Sequence, residues 1–125
     1  MATIKMTTKD FKENIFDYEL EKEWKFKGTL PIIVDFYADW CSPCKMVAPV
    51  LEELSEEFKD QLVIYKVDTG AETELSSVFG IQSIPTFLFI PVEGTGDPMM
   101  QPGALPKKAF KEIIVEKLIP KGVSK

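Results

Sequence analysis

The stretch Pro31-Ile32-Ile33-Val34-Asp35-Phe36-Tyr37-Ala38-Asp39-Trp40-Cys41-Ser42-Pro43-Cys44-Lys45 decides the fold. Its opening residues, Pro31 to Ala38, are nearly continuous in apolar side chains, as expected for a central strand covered on both faces. Both cysteines of the chain follow at once, three positions apart. A strand leading into a helix puts Cys41 beside unpaired backbone N–H groups. Those donors and the positive end of the helix dipole stabilise a thiolate. The thiolate, rather than the thiol, attacks a disulfide. Redox chemistry is therefore the leading expectation from the residues alone.

Outward from this stretch the chain alternates. Cys44, Val47, Leu51, Leu54 and Phe58 recur at spacings of 3, 4, 3 and 4, one buried stripe of a helix. Pro49 is expected to interrupt and kink that helix. Leu62 to Asp68 reads as a second buried strand, and Glu72 to Phe79 as a short helix with Gly80 suited to its C-terminal cap. Thr86 to Ile90 is a strand of β-branched and aromatic residues. Glu93-Gly94-Thr95-Gly96-Asp97-Pro98 is a turn, from which Met99 to Pro102 returns as a short antiparallel strand. Pro106 opens a last helix whose inner face is Phe110, Ile113, Ile114, the stem of Lys117, and Leu118, with Pro120 and Gly122 ending it.

Towards the N-terminus, Thr7 or Thr8 caps a first helix, with Asp10 in its first turn and Phe11, Ile15 and Tyr18 on its apolar side. Glu19 to Gly28 is charged but holds Trp24 and Phe26, and reads as a packed connection. The order is β-α-β-α-β-α followed by β-β-α, without a repeat. It implies an α/β fold, a mixed sheet flanked by helices, and residues 1–125 are expected to form a single domain.

Composition bounds the setting. Hydrophobic residues make up 45% of the 125 and charged residues 28%, an ordinary globular balance with enough chain for a core without covalent staples. The net charge of −5 and the lack of a basic cluster argue against a nucleic-acid partner. No apolar run approaches the roughly 20 residues that span a bilayer, so no membrane partner is expected. Met1-Ala2-Thr3-Ile4-Lys5-Met6 lacks the apolar core of a secretory signal. A cytoplasmic location follows as the expectation, with an exported or periplasmic protein as the alternative if a signal peptide was removed. Nothing in the sequence asks for more than a monomer.

Two cysteines and no histidine fall short of the roughly four ligands of a structural zinc site. Covalent haem attachment needs histidine after the second cysteine, where Lys45 stands. A metal cluster shared between two chains is the remaining metal option. Two buried structural thiols are the plain alternative, against which Ser42, Pro43 and Lys45 argue for a partly exposed turn. Asp35 is the second informative residue, a carboxylate where β-propensity and burial both disfavour it. Desolvation would raise its pKa and let it accept the Cys44 proton. The residues alone leave that reading level with an exposed position or a structural pair with Lys66.

Val34-Asp35-Phe36-Tyr37-Ala38-Asp39-Trp40-Cys41-Ser42-Pro43-Cys44-Lys45 resembles the active-site segment of thioredoxins. Lys66-Val67-Asp68, Gly80-Ile81-Gln82-Ser83-Ile84-Pro85-Thr86 and Gly103-Ala104-Leu105 follow in that family's order, so the resemblance spans most of the chain. It implies the thioredoxin fold, a central mixed sheet of about five strands flanked by about four helices. It also implies a protein-disulfide reductase in which Cys41 is the nucleophile and Cys44 the resolving cysteine. By the same resemblance Asp35 is the buried proton acceptor, tuned by Lys66, and Pro85 is a cis-proline. Trp40, Ser42, Pro43, Ile84, Pro85, Gly103 and Ala104 would form the substrate-binding rim. Phe36, Phe58, Phe87, Phe89 and Phe110 are assigned to the core.

No metal or bound cofactor is implied. The Cys41–Cys44 disulfide would be the redox group, restored by a flavin-dependent thioredoxin reductase drawing on NADPH. The partners would be that reductase and disulfide-containing proteins. A redox-inactive binding module using the groove around Trp40 and Pro85 is the reading from another class, and the presence of both cysteines argues against it. Three departures stand out. Ser42 replaces the family's usual glycine, the Pro91 to Met100 turn is longer than in compact thioredoxins, and Pro102 precedes Gly103 in the presumed rim.

Overall fold

A computed structural model describes residues 3–119. In chain order its elements are β1 (Ile4–Lys5), α1 (Thr8–Asn14), β2 (Ile32–Tyr37), α2 (Ser42–Glu57), β3 (Val63–Asp68), α3 (Thr73–Val78), β4 (Thr86–Ile90), β5 (Met99–Pro102) and α4 (Lys107–Ile113), the last continuing as a π-helical turn over Ile114–Leu118. The five strands lie in the order β1-β3-β2-β4-β5. β1 and β2 run parallel to β3, β4 runs antiparallel to β2, and β5 antiparallel to β4. A mixed sheet of five strands with four helices is the expected α/β architecture.

β2 occupies the centre of the sheet, and all of its residues are buried. Successive side chains of a strand point to opposite faces. Ile32, Val34 and Phe36 accordingly join one apolar cluster with Phe11, Ile15, Phe26 and Leu75. Ile33 joins the other, with Val47, Leu51, Leu54, Phe110, Ile114 and Leu118. Two packed faces explain why the segment reads as an unbroken apolar run. Asp35 alternates with Ile33, so it is carried on the face that α2 covers.

Local chemistry sets the helix ends. Thr7 caps α1 in a reciprocal pair with Asp10: the Asp10 N–H donates to the Thr7 hydroxyl oxygen and the Thr7 N–H to the Asp10 carboxylate, each at 3.0 Å. Gly80 takes φ +62° after α3, the left-handed conformation that glycine enters without a Cβ penalty. The Glu19–Gly28 connection is packed, as expected. Phe26 is buried, and Trp24 lies 4.8 Å from the Phe16 ring between centroids.

Two expectations need correction. α2 runs through Pro49 without interruption, because Val47, Leu51 and Leu54 on either side of it are held in the core, and tertiary packing outweighs the local cost of proline. Lys117 is exposed rather than inward. The chain there closes i→i+5 hydrogen bonds, such as Ile119 N–H to Ile114 C=O at 2.9 Å, and this slower winding keeps Phe110, Ile114 and Leu118 aligned while turning Lys117 out. Ile113 is half-buried and packs, as expected, against the cluster that holds Phe110, Ile114 and Leu118. The proposed stops at Pro120 and Gly122 lie outside the described residues. Among the described residues no helix is long and apolar enough to cross a membrane.

The packing of the connection makes a stability prediction. A Cβ on Gly28 would clash with the Phe26 ring, and that ring is itself enclosed. Gly28→Ala is expected to destabilise the protein by roughly 1–3 kcal/mol through overpacking, seen as a lower urea midpoint at unchanged slope. An unshifted midpoint would show that the ring yields freely.

Candidate active site

Cys41 is the N-cap of α2, with extended backbone angles of φ −91° and ψ 109°. Its Sγ accepts the Cys44 N–H at 3.2 Å, so a sulfur occupies the place usually taken by a capping oxygen. The Cys41 N–H donates to the Ala38 carbonyl at 3.2 Å, and the Cys41 carbonyl accepts the Lys45 N–H at 3.1 Å. Pro43 stands in the first turn, where a missing N–H removes no helical hydrogen bond. Cys41 and Cys44 are joined as a disulfide, with their Cα atoms 5.3 Å apart.

The turn is exposed at Trp40, Ser42, Pro43 and Lys45, but the cysteines themselves are not. Each is only 4% exposed, packed with Tyr37 and Ala38 and against Ile84. Enclosure of the pair thus comes from the end of β2 and the loop before β4, while access remains at its rim.

Behind the pair lies a small cavity of about 100 Å³, lined by Asp35, Tyr37, Ala38, Asp39, Cys44, Lys45, Ala48 and Lys66. It brings together Asp35, Cys44 and Lys66. Asp35 is 1% exposed, and its Oδ1 has no hydrogen-bond partner among the described residues. Loss of solvation pushes its pKa up to about 7, opposed by the nearby Lys66 charge. Asp35 and Lys66 face each other in register across β2 and β3. The Lys66 ammonium nevertheless sits over the Tyr37 ring, 4.7 Å from its centroid, and no ion pair within contact distance joins it to Asp35 among the described residues.

On the outer side, Trp40 is 78% exposed and takes no part in the core. It borders a groove of about 530 Å³ whose other walls include Thr69, Ser76, Gln82, Ser83 and Ile84. The Ile84–Pro85 peptide is cis, as expected. The Pro85 carbonyl accepts the Gly103 N–H at 2.8 Å, tying the start of β4 to the turn after β5. Gly103 adopts φ +90° there, a conformation that suits glycine. Ala104 is exposed next to it.

Asp35, Cys44 and Lys66 thus share the inner cavity, Trp40 and Ile84 the outer groove, and Pro85 is tied to Gly103. Tyr37 and the groove residues Thr69 and Ser76 were not singled out by sequence. Gln82 and Ser83 were present in the Gly80–Thr86 motif, which was the available signal for them.

The sequence model of the thioredoxin family matches residues 3–116. The chain belongs to the thioredoxin family. It is 49% identical over 111 residues to a thioredoxin of Borreliella burgdorferi, covering 89% of this chain and 93% of that one. A putative thioredoxin 2 of Streptomyces coelicolor is 37% identical over 113 residues, covering 90% of this chain and 74% of the relative. The solved structure of chloroplastic thioredoxin z superposes with a TM-score of 0.78 at 27% identity, covering 93% of this chain and 94% of that one. Thioredoxins are protein-disulfide oxidoreductases, and this member holds its cysteine pair as a disulfide at the start of α2. Thiol–disulfide exchange is its chemistry. The family generally works without a bound cofactor, and its partners are a reductase and disulfide-bearing proteins.

Proposed function

We propose that the protein is a general disulfide reductase in which Cys41 attacks, Cys44 resolves and Asp35 takes the Cys44 proton. One observation carries the division of labour. Cys41 caps α2 through its sulfur, whereas Cys44 lines the cavity that holds the unpartnered carboxylate.

The Cys41 thiolate, stabilised by the helix N-terminus, attacks one sulfur of a substrate disulfide and expels the other as a thiolate. The Cys44 thiol then passes its proton to Asp35, directly or through a water in the cavity. The resulting thiolate attacks the Cys41 sulfur of the mixed disulfide. A second substrate thiolate leaves, and the Cys41–Cys44 disulfide forms. Two electrons have moved to the substrate, and a flavin-dependent thioredoxin reductase returns them from NADPH. The intramolecular attack outruns external thiols because Cys44 is held next to its target.

Trp40, Ser42, Pro43, Ile84, Pro85, Gly103 and Ala104 frame the opening in this reading. An extended substrate segment would lie along the Ile84–Pro85 backbone in a strand-like pairing. Lys66 tunes Asp35 from across the sheet. The chain acts as one domain and a monomer in the cytoplasm, a compartment where thiols are kept reduced.

NADPH consumption with a thioredoxin reductase and insulin as the disulfide substrate tests the direction of electron flow. Cys44→Ser tests the order of attack. This variant is expected to form a mixed disulfide with substrate and hold it, visible as a slow band on a non-reducing gel that dithiothreitol dissolves. Wild-type turnover without a trapped band would overturn the assignment.

A further inference from the structure

We propose that Tyr37 is a positioning residue for the resolving step: its ring seats the Lys66 ammonium beside Asp35 and holds that charge off the carboxylate. The inference rests on the reading of Asp35 as the proton acceptor. Asp35 and Lys66 are register partners on the parallel strands β2 and β3, close enough for opposite charges to pair. They do not meet here. The ammonium lies 4.7 Å from the Tyr37 ring centroid, within the about 6 Å range of a cation–π contact. Asp35 Oδ1 is left buried without a hydrogen bond.

Both Tyr37 and Asp35 line the cavity that reaches Cys44, and both project from the same face of β2. A carboxylate clamped by an ammonium would be a weak base, because an adjacent opposite charge favours its ionised form. A carboxylate with no cation in the cavity would be costly to ionise at all. Parking the charge on the aromatic face gives the intermediate case.

The other charged groups around the ring are Lys5 from β1, Asp39 from the turn after β2 and Asp68 from the end of β3, and Lys45 from α2 shares the cavity. Asp39 and Lys45 are exposed, and Asp68 already accepts the Gly70 N–H at 2.9 Å. Released from Tyr37, the ammonium has most to gain at the unpartnered Asp35 oxygen.

The test follows the Asp35 carboxyl carbon by NMR titration in the oxidised protein, and the rate of mixed-disulfide resolution as a function of pH. Tyr37→Leu is expected to lower the Asp35 midpoint by about one pH unit or more, and to lower the midpoint of the resolution profile with it. Tyr37→Phe, which keeps the ring and removes only the hydroxyl, is expected to retain the wild-type midpoint. Adding Lys66→Met to Tyr37→Leu should abolish the shift between the tyrosine and leucine proteins.

If Tyr37→Leu yields too little folded protein, Tyr37→Met, closer in bulk, carries the same expectation. An Asp35 midpoint that stays put or rises in the leucine or methionine variant overturns the proposal. So does a shift that survives loss of Lys66. A carboxyl midpoint that falls while the resolution profile stays unchanged counts instead against Asp35 as proton acceptor, and so against a role for Tyr37 in resolution.

Discussion

Cys41→Ser is expected to abolish insulin disulfide reduction, with a loss of at least about 10³-fold whichever electron donor is supplied. A hydroxyl at the N-cap can still receive the Cys44 N–H that the sulfur accepts at 3.2 Å, because serine is itself a favoured capping residue. The helix start should therefore persist while the chemistry disappears. Oxygen cannot form the mixed disulfide, and its proton is far harder to remove than that of a thiol. Cys44 is poorly placed to substitute, since it faces the inner cavity rather than the rim. The check pairs turnover with a denaturation midpoint: a large kinetic loss with a folded protein is the expected signature. Turnover near the wild-type rate would sink the mechanism.

Asp35→Asn is expected to slow resolution and stabilise the protein, and both effects should grow with pH over the same window. In the folded chain burial raises the Asp35 pKa to about 7, whereas an unfolded chain returns it to the ordinary value of about 3.9. The folded state therefore binds this proton more tightly. Its contribution is most favourable below the unfolded pKa and is lost as pH rises towards 7. Above that point the buried charge costs the native state about 4 kcal/mol. The asparagine variant escapes the cost. It should gain stability over wild type at pH 8 by up to that amount, with the difference vanishing near pH 4. Catalysis moves the other way. Loss of a positioned base costs about 10²–10⁴-fold, and the rise of the wild-type resolution rate through neutral pH should flatten. Equal rates at neutral pH would remove the role given to Asp35, whereas equal stability at pH 8 would contradict its burial as an ionisable group.

The strands most readable in the sequence are those whose neighbours on both faces are apolar. Ile32–Tyr37 and Thr86–Ile90 are wholly buried, so their composition carries the whole signal. β1 is the opposite case. Ile4 and Lys5 are both exposed, and two residues offer no period by which the opening strand of the expected order could be located. The stem of Lys117 failed as an inner contact because an i→i+5 turn leaves no mark in an α-helical pattern.

At the site, the cysteines and Asp35 were legible because each is anomalous in its local setting: a thiol pair after a strand, and a carboxylate within one. The Tyr37–Lys66 contact was not. It depends on which residue of β3 lies opposite which residue of β2, and that register is fixed by packing across the whole sheet rather than by either strand.

The strands at the two sides of the sheet are also its shortest, two residues in β1 and four in β5 against five or six in the interior. Free N–H and C=O groups along a flank recruit any extended chain and template aggregation. β5, moreover, closes on Pro102, which brings no N–H at all. A protein that engages disulfide-bearing clients through a reversible covalent bond thus gives them little backbone on which to stack once that bond has been released.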